Sequence, residues 1–270
     1  MATPSGPPQE GEPVKTTWSK LTAAILVAIM LQACTIPRSP ETPIATRFYS
    51  TSPTDTDHLI VLLPGRGDTV DDFDKGGFIA AMKASSIQAN ALAIDSHLGY
   101  YISGQLAERV REDVLIPYRQ AGYERFTLVG VSLGGYGSLW LSDELGDWFQ
   151  GMLLVAPYLG PRDVIDAVAE SDSLSQWLQN LDHEPNEDEF AWLWLQRLSE
   201  SNSGLDGLLL LAFGEDDKFA KGAGIVSVLL PEKQVFRRDG SHNWKTWLEL
   251  WRDVLESPAW AELSTTADRN

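Results

Sequence analysis

The chain has 270 residues, of which 43% are hydrophobic and 10 are Trp, and a formal net charge of −17. That length fits one α/β domain of about 200–250 residues, and the acidic balance excludes a nucleic-acid partner, because neutralising phosphates needs a basic face. The single cysteine, Cys34, excludes an intrachain disulfide framework and any cysteine-based metal cluster.

The first 33 residues read as an export signal. Lys15 and Lys20 precede an apolar run over residues 21–30, and Leu31-Gln32-Ala33 then leads to Cys34. A basic start, an apolar centre about ten residues long and small residues before a cleavage point describe a signal peptide, too short for a comfortable membrane span. The ending resembles the bacterial lipoprotein signal. That resemblance implies a lipidated Cys34, carrying palmitate-type acyl chains, as the first residue of a mature chain anchored to a membrane of the bacterial cell envelope. An uncleaved N-terminal anchor is the alternative, and it also puts the domain outside the cytoplasm. Residues 1–13 are rich in Pro, Gly and Glu and fit no part of such a signal, so translation is expected to begin near Val14 through a non-AUG codon. Removing residues 1–33 leaves the charge at −17, since Lys15 and Lys20 offset Glu10 and Glu12. Residues 34–56 are read as a tether with Pro37, Pro40 and Pro43, followed by a first edge strand at 44–50.

From there strand-like and helix-like stretches alternate. This is the pattern of a mostly parallel sheet covered by helices on both faces, a three-layer α/β/α sandwich over residues 57–256. A buried strand at 58–63 ends in Pro64-Gly65-Arg66-Gly67-Asp68 and is followed by a helix at 73–85. A strand at 89–94 ends at Asp95-Ser96-His97, and a helix at 104–121 leads to the strand that begins at Arg125. Further strands are expected at 152–156, 208–213 and 234–236, with helices at about 218–230 and 242–256 and a C-terminal tail at 257–270. Between 158 and 206 the alternation breaks. Two acidic, tryptophan-bearing helical stretches, 164–181 and 188–198, form a small cap over the strand ends, where α/β sheets bind ligands. Trp177, Trp192 and Trp194 either pack this cap onto the body or line an apolar pocket.

The chemistry centres on Gly130-Val131-Ser132-Leu133-Gly134, which follows an apolar β-branched strand and precedes a helical pattern. This is the sequence form of a nucleophile elbow, in which a strained strand-to-helix turn lifts a serine hydroxyl out of the sheet. A hydroxyl needs a base to take its proton, and the base needs an acid to hold its tautomer. The chain supplies both at later strand ends: Gly214-Glu215-Asp216-Asp217, then Asp239-Gly240-Ser241-His242. Of four histidines, His58 opens a strand, His97 follows one and His183 lies in the cap, whereas His242 precedes the last helix. The order serine, acid, histidine resembles the α/β-hydrolase family over about 57–256.

That resemblance implies Ser132 as nucleophile and His242 as base. The family habit of placing the acid three residues after the strand-end glycine favours Asp217 over its neighbour Asp216, with Asp163 a distant alternative. It also implies two backbone oxyanion donors: the N–H of Leu133, and one from the loop after the early strand, here the N–H of Arg66. The Arg66 side chain is expected either to pair with Asp68 or Asp72 or to hold an anionic substrate group. The stretch from Gly240 to Trp247 is similar to the histidine loop of the esterase D and mycolyltransferase-like branch, which leans the reading toward acyl esters. The expectation is a serine hydrolase acting on a small carboxylic ester or thioester, with no metal or organic cofactor. An acyltransferase on the same residues and a non-catalytic envelope binding protein are the alternatives.

Overall fold

The computed structural model describes residues 37–200 and 209–265. The export signal, Cys34 and the expected start near Val14 lie outside the described residues, as do 201–208 at the end of the cap. Seven strands form one sheet: β1 (Thr46–Tyr49), β2 (His58–Leu63), β3 (Asn90–Ile94), β4 (Arg125–Val131), β5 (Phe149–Val155), β6 (Leu209–Gly214) and β7 (Val235–Arg238). Their order is β1-β3-β2-β4-β5-β6-β7; β1 runs antiparallel to β3 and the rest are parallel.

Both faces of the sheet are covered, which is why β2 is apolar without alternation. Leu59, Val61 and Leu63 enter one core, and Ile60 and Leu62 enter the other. After β2 the chain moves to β3 on one side, then returns to β4 on the other. Connections therefore leave in opposite directions at the C-terminal ends of β2 and β4, opening a crevice there. The loop holding Arg66 and the turn holding Ser132 emerge at this point.

The helices are α1 (Asp72–Lys75), α2 (Phe78–Ala84), α3 (Leu98–Ile102), α4 (Leu106–Val110), α5 (Ile116–Gln120), α6 (Leu133–Leu145), α7 (Arg162–Ala169), α8 (Leu174–Gln179), α9 (Phe190–Ser199), α10 (Ala220–Val228), α11 (Trp244–Leu255) and α12 (Pro258–Thr265). Beyond α3, which the sequence reading did not anticipate, four stretches differ from expectation for physical reasons. The helix at 73–85 is split at Gly76-Gly77, where Gly77 has φ 84° and Trp244 packs so closely that a Cβ on Gly76 would lie 2.3 Å from its ring. The helix at 104–121 contains a π turn, Arg111–Leu115, with the Ile116 N–H bonded to the Arg111 carbonyl; Pro117 has no N–H to continue the regular ladder, so the helix widens just before it. The cap stretch 164–181 breaks into α7 and α8, because the Ser173 hydroxyl accepts from the Gln176 N–H at 3.1 Å and starts a new helix.

The fourth difference corrects the domain limits. Residues Pro258–Thr265 are a helix rather than a tail: Ser257 caps it by accepting from the Trp260 N–H at 3.1 Å, and Trp260 is buried against Trp251 with ring centroids 5.2 Å apart. At the other end β1 joins the sheet ahead of residue 57, and the compact unit begins at Ser39. Among the described residues, no helix is long and apolar enough to cross a membrane.

Candidate active site

Ser132 sits between β4 and α6 with φ 53° and ψ −112°, a backbone state that a residue with a side chain rarely adopts. The surroundings hold it there. Its N–H bonds to the Val155 carbonyl at 2.9 Å, and its own carbonyl accepts from the N–H groups of Gly135 and Tyr158, both at 3.0 Å. The flanking glycines are required by close approach: a Cβ on Gly130 would lie 2.1 Å from the Gly134 carbonyl oxygen, and one on Gly134 would lie 2.1 Å from the Leu63 carbonyl oxygen. A serine at a helix start ordinarily caps it with its hydroxyl. Ser132 does not; its Oγ lies 3.0 Å from Nε2 of His242.

The acid turn and the histidine loop reach this serine through another close contact. A Cβ on Gly214 would lie 2.1 Å from the Gly240 carbonyl oxygen, which also accepts from the Asp216 N–H at 3.1 Å. Asp217 is thereby turned inward, its side chain fully buried and its oxygens 2.8 and 2.9 Å from Nδ1 of His242. Asp217 Oδ1 also accepts from the Phe219 N–H at 2.8 Å. With a carboxylate at Nδ1, the ring carries its proton there and offers its Nε2 lone pair to the serine hydroxyl. Asp216 and Asp163 are exposed. Of the three acids weighed from the sequence, Asp217 is the one brought to the histidine. Asn243 caps α11 through the Thr246 N–H at 3.1 Å and so fixes the helix that follows His242.

The two segments expected to supply the oxyanion donors adjoin Ser132. Leu133 opens α6, where the first N–H groups have no acceptor within the helix. Arg66 is in a tight turn closed by the Asp68 N–H bonding to the Gly65 carbonyl at 3.1 Å. The turn lies against the elbow, since a Cβ on Gly65 would be 3.4 Å from Cβ of Ser132. The expected Arg66 ion pair does not form. Asp68 instead accepts from the Trp244 Nε1–H at 3.3 Å, and Asp72 accepts from the Thr69 N–H and hydroxyl at 2.7 and 2.8 Å. Burial pushes the Asp68 carboxyl above its ordinary pKa, against the pull of Trp244 and of nearby His242.

Sequence reasoning missed the aromatic setting of the histidine. Phe219 and Trp247 meet the His242 ring edge-on, with centroids 5.0 and 4.8 Å away, and Tyr158 meets Phe219 at 5.6 Å. Only the position of Phe219 two residues after the acid could have signalled this. Tyr101, from the unforeseen helix α3, donates its hydroxyl to the Leu133 carbonyl at 3.4 Å. The other histidines do different work. His58 is buried and bonded to the Thr127 hydroxyl at 2.9 Å, His97 accepts from the Gly99 N–H at 3.1 Å, and His183 contacts Glu189 in the cap at 2.9 Å. Trp177, Trp192 and Trp194 are buried and pack the cap onto the body. Among the described residues, no group of three His, Cys, Asp or Glu side chains is placed to hold a metal ion.

No protein-family model matches this chain, and no curated protein matches it in sequence. Solved structures do match in shape. Fluorophosphonate-binding serine hydrolase F of Staphylococcus aureus, with substrate bound, has a TM-score of 0.50 at 15% identity over 82% of this chain and 99% of that one. An S-formylglutathione hydrolase from Agrobacterium tumefaciens has a TM-score of 0.51 at 13% identity over 85% and 94%. An α/β hydrolase from the sediment metagenome of the lagoon of Mar Chica, Morocco, has a TM-score of 0.50 at 17% identity over 78% and 91%. These likenesses, with the seven-stranded mostly parallel sheet and its flanking helices, make the three-layer α/β/α architecture an α/β-hydrolase fold.

Proposed function

We propose, from the α/β-hydrolase fold and the side chains gathered at its strand ends, that the protein is a serine hydrolase cleaving a carboxylic ester or thioester. The observation that carries this reading is the unbroken run from Asp217 through His242 to Ser132, at 2.8 and 3.0 Å, ending on a serine held in a strained backbone state. Fold alone requires none of these side chains.

In the proposed reaction, Ser132 Oγ attacks the carbonyl carbon while its proton passes to Nε2 of His242. The carbonyl oxygen takes the negative charge and receives the N–H groups of Leu133 and Arg66. Nε2 then returns the proton to the departing alcohol or thiol, leaving an acyl-enzyme. Water attacks that ester, gives its proton to Nε2 and releases the acid, and the proton returns to Ser132. Buried Asp217 holds the ring in the required tautomer and stabilises the imidazolium. A fluorophosphonate probe tests the reading: it labels the wild type and not Ser132→Ala, and absence of labelling in folded protein removes it.

On sequence alone we also propose that Cys34 carries the lipid that anchors the enzyme outside the cytoplasm. Metabolic labelling with an alkynyl palmitate, lost in Cys34→Ser, is the expected outcome; an unlabelled, freely soluble wild type refutes it.

A further inference from the structure

Carboxylates outnumber cations in this chain by 38 to 21, and several cations well away from Ser132 are paired. Arg47, Arg125, Arg197, Lys221 and Arg238 each sit against an Asp. Lys83, Arg119, Lys245 and Arg252 form no ion pair among the described residues, and two further unpaired cations are set apart by standing beside the serine. Among the described residues neither Arg66 nor Lys218 forms an ion pair, and both are exposed. Arg66 stands on the turn packed against Ser132, and its charge reaches the Tyr158 hydroxyl. Lys218 directly follows Asp217 and holds its ammonium 4.8 Å from the centre of the Phe219 ring, which itself lies against His242. Tyr158 and Phe219 meet with ring centroids 5.6 Å apart, so Lys218 lies over one ring of this pair and Arg66 is within electrostatic reach of the other. Asp68, Asp163 and Asp188 make no bond to Arg66: Asp68 accepts from Trp244, and Asp163 and Asp188 are within electrostatic reach of Tyr158.

We propose that the ester this site cleaves is an anion, bearing a carboxylate or similar oxyanion that Arg66 binds and Lys218 attracts. The proposal rests on the hydrolase reading and assigns its substrate class. Arg66 suits the task because a guanidinium offers a planar fork of donors that matches a carboxylate. An exposed site at the mouth of a crevice in an otherwise acidic protein needs such a feature, since the field of the whole molecule repels anions.

Two matched pairs of esters test it with the full chain. The first compares the 4-methylumbelliferyl monoester of adipic acid with the hexanoate and places the charge on the acyl side. The second compares 4-acetoxybenzoate with 4-acetoxybenzamide and places it on the alcohol side. In one pair the ratio of kcat/KM, anionic over neutral, falls about 10- to 100-fold in Arg66→Gln, the range for a lost charge-assisted hydrogen bond. It falls less in Lys218→Gln, is largely kept in Arg66→Lys, and declines in wild type as salt is raised. Substitution leaves the Arg66 backbone N–H in place, so the ratio isolates the side chain. Turnover with both ratios unchanged in Arg66→Gln and Lys218→Gln overturns the proposal and leaves the hydrolase reading intact. Failure of Ser132 to take the fluorophosphonate probe, with no turnover of any of the four esters, removes that reading and this one together.

Discussion

The strand ends beneath Ser132 and the cap beside them hold their shape by different means. At the strand ends backbone touches backbone: Gly134 lies against the Leu63 carbonyl and Gly214 against the Gly240 carbonyl, each at a distance where no side chain fits. The described part of the cap has three short helices joined by turns, held by buried Trp177, Trp192 and Trp194 and by a contact between His183 and Glu189. A strained serine persists only where its surroundings over-determine it. The reactive group therefore rests on backbone-to-backbone contacts, while the cap is held by side chains.

The largest expected effect tests how finely the strand ends position charge. Asp217→Asn keeps the shape of the buried side chain but can present its amide to Nδ1 and stabilise the wrong ring tautomer, so turnover should fall about ten-thousandfold. Asp216→Asn, one residue away and exposed, should change it less than about threefold. Comparable losses in steady-state hydrolysis of a simple ester would mean that the two acids share the role. A second substitution compares the regions directly. Gly134→Ala places a Cβ 2.1 Å from the Leu63 oxygen, so β2 or α6 must move, at a cost of about 3 kcal/mol or more. Gly222→Ala, on α10 where it faces Ile165 of the cap, meets its nearest atom at an ordinary 3.4 Å and should be neutral or stabilise by up to about 1 kcal/mol. Urea unfolding of the two variants measures the difference; equal destabilisation would erase the distinction.

This contrast also explains which parts of the molecule were legible in the sequence. The elbow was readable because its pattern is local: Gly130, Ser132 and Gly134 stand at alternate positions, although the Leu63 carbonyl that requires Gly134 lies 71 positions away. Asp217 was favoured over Asp216 by the family spacing alone; the physical ground for it, a contact between Gly214 and Gly240, 26 positions apart, is announced by no local pattern. The freedom of Arg66 was equally hidden, because it depends on Trp244 and Thr69 engaging the acids that would otherwise pair with it. In the cap, composition gave helices and their rough extent, but the Ser173 break and the grouping of the tryptophans followed from packing. The terminal helix was missed although Ser257 before Pro258 is a helix-start signal, because its apolar side chains Trp260 and Leu263 find their partners only in the folded core.

A smaller effect separates the regions by pH. His58, buried at the start of β2 against Thr127 of β4, has its pKa lowered from 6.5 to about 4 by burial, with the Arg125 charge adding to the effect. The unfolded chain therefore takes up this proton first. Stability from the neutral ring is complete above about pH 6.5, declines as pH falls from there to 4, and is level below. At 1.36 kcal/mol per pKa unit the decline attributable to His58 is about 3 kcal/mol. In His58→Gln, whose amide can still meet Thr127, urea unfolding should show a slope over that window flatter by this amount. An unchanged slope would place the acid sensitivity elsewhere.

The cap histidine should respond in the opposite direction and with the smallest effect. His183 has its pKa raised by Asp182 first and by Glu189 second. Its contribution is present below the ordinary histidine value and is lost as pH rises through the higher folded value. Glu189 is buried, and it also accepts from the Asn186 N–H at 2.9 Å, so it ties the loop before α9 to that helix. Glu189→Gln keeps the size of the side chain and removes its charge. Hydrogen-exchange protection of amides in α8 and α9, corrected for intrinsic rates, should fall about tenfold at pH 6. The wild-type loss of cap protection as pH rises above the ordinary histidine value should disappear in the variant, while amides of β2 and β4 keep their protection throughout. If cap and sheet amides instead change in parallel, the two regions open as one unit. The strain at Ser132 would then depend on the cap as well as on the close backbone contacts beneath it.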